Sequence, residues 1–248
     1  MRVAALYDIH GNLPALEAVL RDIRRAQVDH VIVGGDVVPG PMPHECIDRL
    51  RTIDVPVQFI HGNGDREVAA QKAGIESAAI PERFRESMRW NARQLSEEEA
   101  EFLASWPPTV RIPIDGIGSV LFCHATPRND TDVFTRLTPD EEFATIFSGI
   151  NADLIVCGHS HMQFDRKVGR LRVINAGSVG MPFGKPGAYW LLLGVDVEFR
   201  HTSYDLADAA LRIRATGDPQ AEDFAAKNVL QPPSEEEMLK VFGKIQLK

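Results

Sequence analysis

A chain of 248 residues with 44% hydrophobic and 25% charged side chains has ordinary globular composition and is long enough for one large domain or two small ones. A formal charge of −8 argues against a broad footprint for nucleic acid or an anionic membrane, and three scattered cysteines, Cys46, Cys123 and Cys157, without a C-x-x-C, argue against a disulfide framework or a thiolate zinc site. The N-terminal "MRVAALYDIHGN" reaches Asp8 after a short apolar run, and no later run approaches the roughly 18 apolar residues of a membrane span, so a soluble, unexported protein of the reducing cytoplasm is expected.

The first part of the chain alternates short apolar runs with amphipathic segments, the pattern of βαβ units on a parallel sheet. "VAALY" predicts a strand, and "LPALEAVLRDIRRA" a helix with Leu13, Leu16, Val19, Leu20 and Ile23 at helical spacing and basic residues in its last turn. "HVIVGGD" predicts the second strand, "HECIDRLRTI" the second helix and "VPVQFIHGNGD" the third strand, each strand ending on an Asp, Asn or His. Residues 66–107 read as helical, with Ser96 and Glu99 in capping-box positions. "TVRIPIDGIGSVLFCHAT" then predicts a hairpin, and "TPDEEFATIFSGI" a helix capped by Thr138 with Pro139 at its first position. "DLIVCGH", "FDRKVGRLRVINAG" folded at Val168 to Arg170, and "AYWLLLGVDVEFRHTSY" predict further strands. The tail reads as a helix in "DLADAALRIRATG", the Pro-rich "LQPPS" and a capped segment, "SEEEMLKVFGKI". No repeat, low-complexity tract or linker divides the chain, so a single domain over 1–248 is expected, with a helical extension from about residue 205.

Polar residues gather just beyond the apolar strands: Asp8, His10 and Asn12 in "DIHGN", Asp36 in "GGDVV", Asn63 and Asp65 in "GNGD", His124 in "FCHAT", and His159 with His161 in "CGHSH". In an open α/β sheet such positions converge on one crevice, so five stretches can supply one site. Imidazoles, carboxylates and one amide oxygen suit two divalent transition ions and need no thiolate. A dimetal pair sits about 3.5 to 4 Å apart, within the span of a single bridging carboxylate. Alternation along a strand end is the expected reason for the D-x-H and H-x-H spacings, because residues two apart project to one side. The adjoining glycines allow close backbone approach and sharp turns.

In this order, "D-x-H-G-N", "G-G-D", "G-N-x-D", "H" and "G-H-S-H" resemble the calcineurin-like metallophosphoesterases from Met1 to about Tyr204, and "GDVVPGP" with "NAGSVGMP" is similar to their small bacterial and archaeal branch. The resemblance implies an α/β (mixed α+β) fold, a four-layer α-β-β-α sandwich of two mixed β-sheets flanked by helices. It implies that Asp8, His10, Asp36 and His161 bind one ion and Asp36, Asn63, His124 and His159 the other, with Asp36 bridging. Mn is the first choice of ion, with Fe, Ni, Co or Zn as alternatives. Catalysis would run through Asp36, Asn63 and His124 at the metal centre. The implied activity is phosphodiester cleavage on a small or nucleotide-like substrate. Phosphomonoester or nucleoside-polyphosphate hydrolysis is the alternative, and a non-catalytic metal-binding scaffold, the role of a retromer subunit with this architecture, is the alternative of another class.

Two divalent ions offset by Asp8, Asp36 and a hydroxide leave a site charge of about +1, so an acidic protein can attract a small phosphorylated substrate. Coordination lowers the pKa of water from about 15.7 toward roughly 7, supplying hydroxide for in-line attack on phosphorus. One position departs from the pattern. Many relatives carry His after the motif's Asn, where it assists the leaving group; here that residue is Gly64. Loss of a general acid costs on the order of 10² to 10⁴ in rate, so activated leaving groups, diesters or anhydrides are expected unless His61 or His44 substitutes. Asn12, Arg128 and Ser178 are candidate substrate contacts, each with a plainer reading: Asn12 as a helix N-cap, Arg128 and Ser178, like Asn129, as loop residues. Asp65 is expected to orient a ligand rather than bind metal, Arg66 to solvate a helix start, and Cys123 and Cys157 to fill the core. A homo-oligomer stays open, with "YWLLLGV" and the tail helices covering either the core or a second subunit.

Overall fold

The computed structural model describes residues 1–78 and 80–244. Its first sheet has β1 (Val3–Leu6) at the centre, with β2 (His30–Val33) and β3 (Val57–Phe59) parallel on one side. On the other side β9 (Ala188–Leu193) runs antiparallel to β1 and β10 (Val197–Thr202) antiparallel to β9, giving the order β10-β9-β1-β2-β3. The second sheet has the order β4-β5-β6-β8-β7, built from β4 (Thr109–Ile114), β5 (Gly118–Cys123), β6 (Leu154–Cys157), β7 (Phe164–Val168) and β8 (Leu171–Asn175). Its parallel centre of β5, β6 and β8 is edged by the antiparallel β4 and β7. The expected hairpins over 109–126 and at Val168 to Arg170 both form.

The all-apolar β1 follows from burial of both its faces. Val3, Ala5 and Tyr7 meet Ile32, Phe122, Val156 and Leu191 between the sheets, while Ala4 and Leu6 meet the helices outside. Each Val, Leu or Ile buried this way contributes roughly 1.5–3 kcal/mol. Tyr7 is tolerated in the interior because its hydroxyl donates to Val156 O at 3.0 Å. Helices α1 (Leu13–Ala26), α2 (Pro43–Arg51) and α4 (Glu82–Gln94) send Leu16, Val19, Ile47, Leu50 and Met88 onto the first sheet. Helix α6 (Asp140–Ile146) sends Phe143 and Ile146 onto Ile155, Cys157 and Val173 of the second. The four-layer α-β-β-α sandwich is therefore present, and all three cysteines are buried and free.

Helices α3 (Asn63–Lys72) and α5 (Glu97–Ala104) complete the region read as helical, α5 with its Ser96/Glu99 capping box. Helix α7 (Leu206–Arg214) begins the tail, followed by α8 (Ala221–Phe224), a π-helical turn (Ala225–Leu230) and α9 (Glu235–Phe242). The expected helix at the C-terminus reaches Ile245, which lies outside the described residues. Two local expectations need correcting. Helix α3 starts at Asn63, inside the stretch read as the third strand, because Asp65 accepts from Gly62 N at 2.9 Å and closes the first turn. Pro139, not Thr138, is the N-cap of α6, since the Thr138 hydroxyl instead accepts from Thr135 N at 3.0 Å. The π-helical turn left no signal in the apolar spacing.

Candidate metal centre

β1, β2 and β6 stop at Leu6, Val33 and Cys157, before the polar residues that follow them. Side-chain alternation along a strand therefore cannot explain the D-x-H and H-x-H spacings. Left-handed backbone does: among the described residues six non-glycines have positive φ, and five are Asp8 (53°), His10 (47°), Asp36 (51°), His159 (64°) and His161 (56°). Asp and His tolerate that region better than most side chains, and such outliers persist where the surroundings hold them in place. Asp8 N donates to Gly35 O at 3.0 Å and His10 N to Asp36 O at 2.9 Å, so the two strand-end loops clasp each other. Gly158 can carry no side chain here, since a Cβ would fall 2.6 Å from Asp8 Oδ2.

These loops bring Asp8, His10 and His161 into one cluster, and Asp36, His124 and His159 into a second. His10 Nε2 lies 3.2 Å from His161 Nε2, and His124 Nε2 lies 3.2 Å from His159 Nδ1. The far nitrogens of three of these rings face backbone carbonyls: His10 Nδ1 to Pro39 O at 3.3 Å, His124 Nδ1 to Gly34 O at 2.9 Å and His161 Nδ1 to Met181 O at 2.7 Å. A carbonyl only accepts, so each Nδ1 carries a hydrogen and each Nε2, once it has lost its proton, presents a lone pair inward. Asp36 Oδ2 stands 3.7 Å from His10 Nε2 and 3.5 Å from His124 Nε2, between the clusters. Asp8 Oδ1, buried without a hydrogen-bond donor, stands 3.4 Å from His161 Nε2. With its amide oxygen turned inward, Asn63 faces only acceptors, His159 Nδ1 at 3.0 Å and Asp130 O at 3.2 Å; the reversed amide would donate to both. Lone pairs turned toward each other and an orphaned carboxylate oxygen are what a cation between them satisfies, so the donor set fits two divalent ions.

The surroundings fix these donors. Asp8 Oδ2 accepts from His159 N at 2.9 Å, and Asp36 Oδ1 from Gly64 N at 2.7 Å. Behind them, Asp65 accepts four backbone amides: Asp36 N (2.7 Å) and Gly62 N (2.9 Å) on Oδ2, Val37 N (2.9 Å) and Val38 N (3.1 Å) on Oδ1. Burial and the Asp36 carboxylate push the Asp65 pKa up to about 7, but two N–H groups on each oxygen favour the ionised form. Asp65 thus orients the Asp36 loop, as its sequence position suggests. Burial disfavours a charged His124, yet Asp36 and Asp8 outweigh burial and raise its pKa to about 10. His159 is lowered to about 4 by burial and by His124, whereas Asp36 and Asp8 stay below the usual carboxylate range because histidines face them.

Other expected site residues are placed differently. Asn12 is fully buried; its Oδ1 caps α1 through Ala15 N at 3.2 Å, and its Nδ2 donates to Gly180 O at 2.9 Å. It has the cap role, not a place on the cleft surface. Ser178 is also fully buried, donating to Asp8 O at 2.8 Å and accepting from Met181 N at 2.8 Å, so it ties its own loop to the Asp8 loop instead of facing the cleft. Arg128, with 42% of its side chain exposed, is held by Asp132 at 3.0 Å on the loop after His124. His61 Nδ1 lies 3.4 Å from Asp130, which also receives both arms of Arg66 at 2.8 and 3.1 Å, so Arg66 is an ion-pair partner and more than a solvated helix start. His44 pairs with Glu99 at 2.6 Å and Asp48 at 3.3 Å, between α2 and α5, and touches none of the clustered donors. Met181 and Gly34, whose carbonyls set two tautomers, have no counterpart among the expected residues, because a backbone carbonyl leaves no mark in a sequence.

A model of the calcineurin-like phosphoesterase superfamily domain matches residues 1–197. An uncharacterised protein of Methanocaldococcus jannaschii is 32% identical over 197 residues, covering 73% of this chain and 76% of that protein. Among solved structures, a hypothetical protein of Pyrococcus horikoshii superposes with a TM-score of 0.80 at 21% identity, covering 94% of this chain and 99% of that one. A metallophosphoesterase of Sphaerobacter thermophilus superposes with a TM-score of 0.70 at 27% identity, covering 92% and 99%.

Proposed function

Because the chain belongs to the calcineurin-like phosphoesterase superfamily, we propose that it is a dimetal phosphohydrolase that cleaves a diester of a small or nucleotide-like alcohol. Asp8, His10, Asp36 and His161 would hold one ion and Asp36, Asn63, His124 and His159 the other. The observation that carries this reading is the pair of facing nitrogens, His10 with His161 and His124 with His159, each 3.2 Å apart. The carboxylate and amide oxygens suit Mn and the imidazoles suit Fe, Ni or Zn, so Mn is proposed with Fe, Co, Ni or Zn as alternatives. When bound, two divalent ions lower the pKa of water toward about 7 and offset the phosphate's charge.

The chain's own residues do the rest. The Pro39, Gly34 and Met181 carbonyls fix the inward tautomers, the Gly64 amide and Asp65 hold Asp36, and Ser178 with the Gly180 amide pins Asp8 O at 2.8 and 2.9 Å. Arg128, half-exposed on the loop after His124, is the cation proposed to meet a phosphate oxygen. Preference for a diester rests on Gly64: a Cβ there would lie 2.4 Å from Val38 O and 2.7 Å from Pro39 Cδ, so the imidazole that relatives carry has no room. Without that proton donor, good leaving groups are favoured.

Metal-stripped protein reloaded with Mn, Fe, Co, Ni or Zn and assayed on matched aryl phosphate mono- and diesters tests the reading. Diester turnover that disappears in Asp36→Asn is the expected result. Dominant monoester turnover would overturn the diester preference, and full metal occupancy with neither ester cleaved would leave a scaffold.

A further inference from the structure

One loop, residues 181–184, holds His161 in two ways. Met181 O faces His161 Nδ1 at 2.7 Å, and the Phe183 ring stacks on the imidazole, centroids 5.4 Å apart and planes 21° apart. The outer side of this loop meets the C-terminal tail, which lies beyond the residues 1–197 matched by the family domain. The Met181 side chain packs against the cluster of Ala209, Ile213, Phe224 and Val229 from α7, α8 and the π-helical turn. Gly184 N donates to Pro233 O at 2.8 Å, and the Phe242 ring of α9 lies 6.0 Å from that of Phe183. Helix α9 contributes nothing to the core, since none of its residues is buried, yet Arg136 Nη1 donates to Glu235 Oε2 in its first turn at 2.7 Å. A row of rings thus runs outward from a clustered histidine to the last helix.

We propose that Phe183, backed by Phe242, is a positioning residue for His161, and that the C-terminal tail thereby sets how tightly the chain holds one ion of the pair and not the other. The ion concerned is the one assigned to Asp8, His10, Asp36 and His161, so the inference rests on the dimetal reading above. The hydrogen bond to Met181 O fixes where Nδ1 points, and the Phe183 face restrains the tilt of the ring about that bond. A ligand ordered before the ion arrives loses less freedom on binding, and the groups behind a metal-bound His weigh heavily in affinity. The second cluster is braced from elsewhere: His124 Nδ1 faces Gly34 O at 2.9 Å, and Asp36 Oδ1 accepts from Gly64 N at 2.7 Å. Asp36 is common to both ions and cannot make them differ; Phe183 touches the ring of a ligand to one ion alone.

Titration of the chelator-stripped full chain with Co²⁺, followed by calorimetry and by the visible absorption of the bound ion, tests this. The ion that disappears in His161→Ala marks the binding step to follow. In Phe183→Ala that ion should bind about two- to tenfold more weakly, the scale of one aromatic contact, and its absorption bands should shift, while the other ion keeps its Kd. Phe183→Tyr keeps the stacked face and should restore both affinity and bands. Phe242→Ala removes only the backing ring and should weaken the same ion toward the lower end of that range. Because Phe242 is not buried, this variant should unfold at the parent's midpoint, and it decides the matter if Phe183→Ala does not fold. Both ions bound as in the parent in the alanine variants, or both weakened equally, overturns the positioning role. A change in Phe183→Ala that Phe242→Ala does not share overturns the tail's part in it. A parent that takes up only one Co²⁺ overturns the dimetal reading itself.

Discussion

His10 Nε2 and His161 Nε2 stand 3.2 Å apart while the Nδ1 of each ring faces a carbonyl, Pro39 O at 3.3 Å and Met181 O at 2.7 Å. When both rings are neutral their lone pairs converge, and a cation between them would satisfy both. His161→Ala should therefore reduce metal content from two ions per chain to one. Turnover should fall by more than about a hundredfold, since loss of even an outer partner of a ligand costs roughly 10- to 100-fold. Elemental analysis after dialysis, beside a diester assay, reads both; two retained ions with full turnover would remove His161 from the ligand set.

The ligand types were legible in the sequence because they gather just past apolar runs, whereas the four-layer order came only from the family resemblance, since a parallel-looking first half and a hairpin-rich second half do not specify it. The physical cause of the spacing was not. Positive φ at Asp8, His10, Asp36, His159 and His161 depends on hydrogen bonds between separate loops, such as Asp8 N to Gly35 O, and no window of residues contains both partners. Asn12 and Ser178 stand in the right motifs, but only the packing reveals that their polar atoms are used inside the fold. The ring row from His161 to Phe242 joins residues 161, 183 and 242, too far apart for any pattern to connect.

Asp65 is the hub of the Asp36 loop. An Asn in its place would turn an NH₂ group toward two backbone N–H donors. Hydrogen bonds to a charged acceptor are worth about 1.5–3 kcal/mol, and a buried donor left unpaired costs about 1–3 kcal/mol, so Asp65→Asn should destabilise by roughly 2.5–6 kcal/mol. Urea unfolding measures this. Metal affinity should fall as well, because the Asp36 amide, now held at 2.7 Å by the Asp65 carboxylate, would be freed and its loop with it. A variant as stable as the parent would mean that the four amides find other partners.

Gly64→His introduces the residue that the family resemblance implies at this position, and here it should fail. Its Cβ would meet Val38 O at 2.4 Å, Pro39 Cδ at 2.7 Å and Asp36 Oδ1 at 3.0 Å, the first two being atoms that cannot rotate away. Overpacking of this kind costs about 1–3 kcal/mol. The displaced atom that matters most is the Asp36 carboxylate, so metal content should drop and monoester turnover should not rise. Enhanced monoester cleavage in Gly64→His at full stability would show that the loop can open, and would undo the case for diester preference.

Protons and metal compete for His124. Burial pulls its pKa down, Asp36 and Asp8 pull harder, and the result is about 10 against an ordinary 6.5. A raised folded-state pKa gives a stabilisation that is complete below the unfolded value and disappears as pH climbs through the folded one, so the window here runs from about 6.5 to about 10. Chelated protein should accordingly lose Tm across that range. Ion binding requires the neutral imidazole and expels the proton, so apparent metal affinity should rise with pH while the loaded protein's Tm stays nearly flat over the window. Calorimetric scans at several pH values, with chelator and with Mn, separate the curves. In His124→Gln the chelated protein should lose much of its slope, because the group that titrates is gone. A chelated parent whose Tm rises from pH 7 to 9 would mean that Asp36 and Asp8 do not hold a proton on His124, and that the carboxylate field inferred for the cluster is too weak to gather two cations.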